Sequence, residues 1–263
     1  MKHEEKEDMA NQLSRKDRLA STASWIAAVR AREQERADRL FSDPWAAWLA
    51  GEEGWLLRVV REHPVRQVVL VGAGMDTRAF RLAWPAQTHL FELDLPQLFE
   101  RKELLFSAAR AVSTCQRQIV NVDLRGRWRK ALLHAGFDPG KQSVWLMEGL
   151  LFYLPEERVA HLFEDVTTLS AAGSWLGCEV KNAQMLTSAD TRDWIETLKQ
   201  EGAPWISCMD HPESFLAEYG WSATVIQPGE DGAHFGRWPF PIIPRSVPDI
   251  PRTFFVTASR NHS

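Results

Sequence analysis

Between residues 65 and 181 the chain alternates short apolar runs with longer amphipathic segments, and this alternation limits the fold more than any other feature. The runs are short and rich in β-branched residues, as buried strands are, and a helical pattern follows each of the first four. The predicted strands are residues 67–71, 88–93, 118–122, 143–147 and 174–180. Repeated strand–helix units predict a mostly parallel sheet with helices on both faces and right-handed crossovers. We therefore expect an α/β, Rossmann-like fold.

Helical and mixed segments flank this alternating core. The N-terminal part predicts an amphipathic helix over residues 16–40, a second that Asp43 and Pro44 begin, and a third over 55–61. After the core, helices at 189–200 and 213–219 and strands at 222–226 and 253–257 are expected, with a proline-rich loop before the last strand. One domain of three parts is predicted: a helical N-terminal cap (1–64), a ligand-binding core (65–182), and a lid with closing strands (183–263) that completes a seven-stranded sheet.

Composition narrows the class of partner. The chain carries 31 Lys and Arg against 35 Asp and Glu, and this net charge of −4 argues against a nucleic-acid-binding surface. No run approaches the ~20 apolar residues of a membrane span, and the polar N-terminus lacks a signal-peptide pattern. The three cysteines are far apart, so neither a metal site nor a disulfide framework is expected. These features favour a cytoplasmic protein that binds neither nucleic acid nor a membrane.

A glycine turn follows the first predicted strand, in the run VVLVGAGMDTRAF (68–80). Glycine at 72 and 74 permits a sharp turn and close approach of a ligand to the backbone. Thr77 stands where a dinucleotide-binding motif would place its third glycine, which disfavours a nicotinamide oxidoreductase. Simple strand–helix packing is the alternative interpretation of the turn.

Acidic residues follow the next three strands. Asp94 comes after the second strand, at a distance from Gly72 that suits a carboxylate binding both hydroxyls of a ribose. Asp123 and the backbone of Leu124 follow the third strand and are candidates for reading adenine. Glu148 follows the fourth and is a candidate for holding an ammonium group. The alternatives are helix N-caps for the two aspartates and a surface acid for Glu148.

The carboxyl ends of parallel strands meet at one edge of a sheet, so these groups should converge there. The predicted groups would accept hydrogen bonds from a ribose, recognise adenine and bind an ammonium group, and no phosphate-binding loop is predicted. This set of groups matches S-adenosyl-L-methionine better than NAD or ATP. We therefore predict S-adenosyl-L-methionine as the cofactor.

Several motifs resemble those of a known family. VLVGAGMDTRAFRL, FELDLP, VDLR and MEGLLFYLP are similar to motifs of the class I methyltransferases of the leucine carboxyl methyltransferase group. GRWPFPIIPRSVPDIPRTFFVTA resembles the C-terminal signature of its tetracenomycin-type polyketide O-methyltransferase branch. The resemblance implies cofactor contacts at Gly72, Asp94, Asp123–Leu124 and Glu148. It also implies a basic residue before the first strand that faces the cofactor carboxylate; Arg30 is preferred there over Arg58 and Arg18.

The sequence defines the binding site for the methyl acceptor less well than the cofactor site. A carboxylate is already ionised at neutral pH and needs no general base, whereas a phenol or alcohol gains from one. His234 is the candidate base, but no base stands out, which favours carboxylate methylation of a specialised metabolite. Tyr153 and Trp205 are the candidate acceptor contacts. Methylation of a phenolic hydroxyl or an amine, and a non-catalytic cofactor-binding regulator, are the alternatives.

Overall fold

The computed structural model describes residues 55–234 and 238–261. The predicted helix over 16–40, the helix that Asp43 and Pro44 begin, and the candidate arginines Arg18 and Arg30 lie outside these residues.

The described residues form eight helices and seven strands. The helices are α1 (Trp55–Glu62), α2 (Arg78–Arg81), α3 (Pro96–Ala108), α4 (Trp128–His134), α5 (Glu156–Thr168), α6 (Ala183–Thr187), α7 (Arg192–Gln200) and α8 (Pro212–Glu218), with 3₁₀ turns at Leu151–Tyr153 and Ala189–Thr191. The strands are β1 (Gln67–Val71), β2 (His89–Asp94), β3 (Gln116–Asn121), β4 (Ser143–Met147), β5 (Trp175–Lys181), β6 (Trp221–Ile226) and β7 (Thr253–Arg260).

The seven strands form one sheet in the order β3-β2-β1-β4-β5-β7-β6. The first five strands pair in parallel, and β7 is antiparallel to both β5 and β6. This arrangement confirms the prediction of a seven-stranded, mostly parallel sheet. Because the chain moves outward from β1 in one direction and returns to β4 on its other side, strand order reverses between β1 and β4.

Apolar cores cover both faces of the sheet. Successive side chains of a strand point to opposite faces, so β1 sends Val69 and Val71 into one core and Val68 and Leu70 into the other. The first core packs against α4, α5 and α8, and the second against α1, α2 and α3. A strand that is buried on both faces has a continuous run of apolar residues in its sequence, which is why β1 and β4 were predictable.

The C-terminal strand is longer than the sequence pattern predicts. Strand β7 continues to Arg260, whereas the apolar run ends at Thr257. The additional residues pair with β5 on one side and β6 on the other, and these backbone hydrogen bonds hold small and polar residues in the strand. Residues 238–251, which carry five prolines, contain neither helix nor strand, as predicted.

No helix within 55–234 or 238–261 has the length and apolar character needed to cross a bilayer. The three cysteines are free thiols, with Cys178 buried in β5 and Cys115 and Cys208 partly exposed. Burial raises the pKa of the Cys178 thiol to about 12, and the neighbouring Glu179 carboxylate adds to the rise.

We expect Cys178 to resist alkylation in the native protein, because the thiolate is the reactive species and the thiol is out of reach of solvent. Native treatment with iodoacetamide at pH 8, followed by peptide mass spectrometry, should label Cys115 and Cys208 first. All three should react alike in guanidinium chloride. Labelling of native Cys178 as fast as Cys208 would contradict its placement in the core.

Candidate cofactor site

The candidate site lies at the carboxyl ends of β1, β2 and β4. Ligands of doubly wound sheets bind where strand order reverses, because the helices that follow the strands diverge there and leave a crevice. In this sheet the reversal falls between β1 and β4. The glycine turn follows β1, and the loop with Glu148 follows β4, so the two predicted elements face each other across the reversal.

The backbone conformation of this turn requires glycine. Gly72 and Gly74 have φ angles of 72° and 49°, in the left-handed region that side chains disfavour. The amides of Gly72 and Ala73 donate to the Leu93 carbonyl at 2.9 and 3.0 Å, which ties the turn to β2. A Cβ on Gly72 would lie 3.0 Å from Leu150 Cδ1, so close packing against the loop after β4 also requires glycine.

Asp94 is held at the edge of the sheet by two backbone amides. Its Oδ2 accepts from the Gly74 amide and its Oδ1 from the Leu95 amide, both at 2.7 Å. Burial raises the pKa of this carboxyl, while the two backbone hydrogen bonds and Lys102 act to lower it. Asp94 is not the N-cap of α3, as the helix-cap alternative required, because that position is Leu95. Asp94 therefore joins the glycine turn to the end of β2.

Glu92 shares a sheet face with Asp94 but lies in a separate buried ion cluster. Its Oε2 accepts from Lys102 Nζ at 2.8 Å and from Arg117 Nη2 at 2.7 Å. The side chains of Glu92 and Lys102 are fully buried. The positive charge of Lys102 in this cluster is close enough to Asp94 to act to lower the pKa of the Asp94 carboxyl.

Glu148 meets a cation that sequence reasoning did not single out. Arg78 Nη1 lies 2.6 Å from Glu148 Oε2 and also pairs with Asp76 Oδ2. Arg78 and Asp76 are buried, whereas the Glu148 side chain is 26 % exposed. The guanidinium thus joins the turn after β1 to the end of β4, directly across the strand-order reversal.

Asp123 lies next to Asp94, because the Val122 amide donates to the Asp94 carbonyl at 2.9 Å. The Asp123 carboxylate closes a turn with the Arg125 amide at 3.0 Å and pairs with the Arg125 guanidinium at 2.6 Å. The helix-cap alternative is wrong here also, since the N-cap of α4 is Arg127. Asp123 and Leu124 therefore follow β3 at the same edge as Asp94, with the carboxylate partly exposed.

Tyr153 and Trp205 come together although they lie on different segments. The Ile206 amide donates to the Phe152 carbonyl at 2.7 Å, which packs the segment around Trp205 onto the 3₁₀ turn that carries Tyr153. The rings of Phe152 and Trp205 lie 4.8 Å apart. Burial raises the pKa of the Tyr153 hydroxyl, with the nearby Trp205 indole N–H acting against the rise and the Glu179 carboxylate adding to it.

A charged pair lies beside these aromatic rings at the end of β5. Lys181 Nζ pairs with Glu179 Oε1 and donates to Thr253 Oγ1 at 2.8 Å. The ammonium lies 5.2 Å from the ring centre of Phe152 and 5.0 Å from that of Trp205. Within the described residues Glu179 makes no second side-chain hydrogen bond, so its other oxygen is available to a ligand.

His234 and Arg58, two of the predicted site residues, are both exposed. His234 lies in the loop after β6, half exposed, with Nε2 3.8 Å from Asp231 Oδ1. Arg58 is exposed on α1, and Arg30 lies outside the described residues.

Sequence reasoning missed Arg78, Glu179 and Lys181. A weak signal existed for the last two, since charged residues alternate with Cys178 and Val180 at the end of an apolar strand. Arg78 stands inside the motif VLVGAGMDTRAFRL, but it was not singled out because an arginine in the first turn of a helix is usually solvated.

Comparison with known proteins identifies the fold and the family of this chain. A DUF574 family protein from Streptomyces avermitilis matches the fold with a TM-score of 0.56 at 14 % identity, over 90 % of each chain. A Streptomyces coelicolor protein named "Putative S-adenosyl-L-methionine-dependent methyltransferase" is 37 % identical over 257 residues, covering 82 % of this chain and 88 % of its own. A Frankia alni protein with the same description is 35 % identical over 281 residues, covering 91 % and 94 %.

The leucine carboxyl methyltransferase family model matches residues 53–167, which include β1 to β4 and the glycine turn. The chain belongs to the S-adenosyl-L-methionine-dependent methyltransferases that these two relatives represent. It is a methyltransferase, and its cofactor is S-adenosyl-L-methionine.

Replacement of Asp94 by Asn should weaken binding of S-adenosylhomocysteine by roughly 1–3 kcal/mol, the cost of losing a charged hydrogen-bond acceptor for buried hydroxyls. Calorimetric titration measures the change. Asp165→Asn, at a partly exposed ion pair between α4 and α5, is the matched control and should leave affinity unchanged. Equal affinity of Asp94→Asn and wild type would remove Asp94 from the site.

Proposed function

We propose that the chain is an O-methyltransferase that transfers the methyl group of S-adenosyl-L-methionine to a carboxylate of a small specialised metabolite. One observation mainly supports the proposed cofactor site. The glycine turn, Asp94 and Glu148 lie together where the strand order reverses. The resemblance of the C-terminal segment to the tetracenomycin-type branch supports a small-molecule acceptor.

The residues present fit the cofactor in chemistry. The partly buried carboxylate of Asp94, oriented by two backbone amides, suits two ribose hydroxyls. Asp123 and the Leu124 backbone, which follow β3, would recognise the adenine ring. Glu148, partly exposed at the end of β4, would receive the ammonium group.

The bound cofactor supplies an already electrophilic methyl group, so the protein mainly has to align the acceptor and exclude water. Tyr153 is suited to align an anionic acceptor. A tyrosine hydroxyl is protonated at neutral pH, burial raises its pKa further, and a protonated hydroxyl donates a hydrogen bond to a carboxylate. The Trp205 and Phe152 rings beside it offer an apolar wall for an aromatic acceptor. A carboxylate needs no general base, so His234 has no required role.

Methylation of a hydroxyl is the second candidate, and Glu179 favours it. Its carboxylate is 14 % exposed and near Tyr153, and Lys181 holds one of its oxygens. A carboxylate fixed by a buried ammonium beside the acceptor position is suited to accept a proton from a phenol or alcohol.

The lability of the product in base separates the two candidates. Purified protein, S-adenosyl-L-methionine with a tritiated methyl group, and a panel of aromatic carboxylic acids, phenols and amines should yield labelled product. We expect label that mild base releases as volatile methanol, because esters hydrolyse and methyl ethers do not. Label that survives base would overturn the carboxylate proposal. A chain that binds NAD but not S-adenosylhomocysteine would overturn the assignment of the site itself.

Glu179→Gln tests the proton acceptor directly. With a carboxylate acceptor, kcat should change by less than about threefold, because no proton is removed. With a hydroxyl acceptor, kcat should fall by about 10²- to 10⁴-fold. Glu196→Gln, on the exposed face of α7, is the matched control. The rate of methyl transfer is measured with the best acceptor of the panel, and a large loss on a carboxylate acceptor would show that Glu179 has another role.

A further inference from the structure

Polar side chains from three segments converge at the carboxyl end of β5. Lys181 Nζ lies 5.0 Å from the ring centre of Trp205 and 5.2 Å from that of Phe152, on the side away from the cofactor turn. Tyr153 is a neighbour of both groups that flank it, because the Trp205 indole N–H and the Glu179 carboxylate each act on the pKa of its hydroxyl. The hydrogen-bond donors and acceptors of this cluster can therefore be counted.

Lys181 is a buried lysine with an unused donor. Its side chain is 8 % exposed, and an ammonium group carries three N–H donors. One donates to Glu179 Oε1 and another to Thr253 Oγ1 at 2.8 Å, and the third has no acceptor among residues 55–234 and 238–261. An unsatisfied donor costs free energy when it is shielded from water, which favours a further acceptor at this position.

The Trp205 indole N–H is a second unused donor. It is buried and makes no hydrogen bond of good geometry within the described part of the chain, although it lies near the Tyr153 hydroxyl. A buried indole N–H usually finds a partner. The Tyr153 hydroxyl, protonated at neutral pH, adds a third donor. A ligand that satisfies these donors must offer oxygen acceptors.

Two arginines near this end of the sheet are committed to the protein itself. The Arg252 guanidinium donates to one side-chain amide and to three carbonyls of the loop before β7. Arg245 pairs with both oxygens of Glu213, at 2.5 and 3.1 Å. Lys181, with its spare N–H, is better suited than either to receive an anionic ligand.

We propose that Lys181 and Trp205 bind the carboxylate of the methyl acceptor, with Tyr153 as the third donor. This inference rests on the proposed function, because it requires a carboxylate acceptor. One carboxylate oxygen accepts these hydrogen bonds, while the other forms the new bond to the methyl carbon as the methyl–sulfur bond breaks, and no proton moves. The Phe152 and Trp205 rings exclude water from the ammonium, which strengthens its attraction for an anion.

Glu179 competes with the acceptor for the same ammonium. Its carboxylate neutralises Lys181 in the free protein and repels a second carboxylate. Loss of the Glu179 charge should therefore strengthen acceptor binding, whereas loss of Lys181 should weaken it. A structural role, in which Lys181 only neutralises Glu179, makes a different prediction: removal of both charges together leaves no unpaired ion and should restore wild-type binding.

The test uses the aromatic carboxylic acid that gives the highest rate of methyl transfer in the acceptor panel. We expect Glu179→Gln to lower KM for this acid, and the double variant Glu179→Gln/Lys181→Met to raise it about 10- to 100-fold, the range for a hydrogen bond between charged groups. In the double variant kcat should change by less than about threefold, because the lost contact is made in the ground state and the transition state alike.

Two further variants sharpen the measurement. Trp205→Phe keeps the aromatic wall and removes the N–H donor, and it should raise KM about 3- to 10-fold, as expected for loss of one hydrogen bond. Lys199→Met, from an exposed pair with Glu196 on α7, is the matched control and should leave KM unchanged. Affinity for S-adenosylhomocysteine should stay at the wild-type value in every variant, which reports an intact fold.

A wild-type KM in the double variant would overturn the proposal and leave Lys181 only the neutralisation of Glu179. If the double variant loses affinity for S-adenosylhomocysteine, its fold is disturbed, and Trp205→Phe, which removes no charge, decides: a raised KM supports the proposal and an unchanged KM overturns it. A methylated product that survives mild base with every acceptor would instead refute the proposed carboxylate methylation itself.

Discussion

The Asp94 carboxylate, held by the amides of Gly74 and Leu95, is the interaction on which the geometry of the site depends. It joins the turn after β1 to the end of β2, and the Val122 amide, which donates to the Asp94 carbonyl, extends the connection to β3. Partial burial of the carboxylate at this point costs desolvation energy, which the backbone hydrogen bonds offset only in part, since the pKa of Asp94 remains raised. Ribose hydroxyls, as further donors, would complete that compensation.

Cations on opposite sides of the strand-order reversal organise the rest of the edge. Arg78 connects Asp76 with Glu148, and Lys181 fixes Glu179 beside the aromatic rings. Buried ion pairs contribute little net stability, because desolvation cancels much of the attraction, but removing one partner leaves an uncompensated charge. Such pairs are better explained by a requirement for fixed charges, here at the proposed cofactor and acceptor positions, than by fold stability.

Several elements were predictable because the determining interactions are local. Strands β1 and β4 are continuous apolar runs, and Gly72 and Gly74 mark a turn that only a positive φ permits. The position of Asp94 follows from the length of one strand–helix–strand unit. The end of β7 was not predictable, because residues after Thr257 are strand only through pairing with β5 and β6. The family's motifs contain both Glu148 and Arg78, but they did not predict that the two side chains are in contact.

The sequence by itself determined the α/β class, the glycine turn and the acidic residues at the strand ends, because periodicity, backbone conformation and spacing act over a few residues. Only the tertiary structure decided that Arg78 meets Glu148 and that Lys181 meets Thr253. Each of these contacts joins segments distant in the chain. They form because the strand order places β1 beside β4 and β5 beside β7, and no local pattern encodes that order.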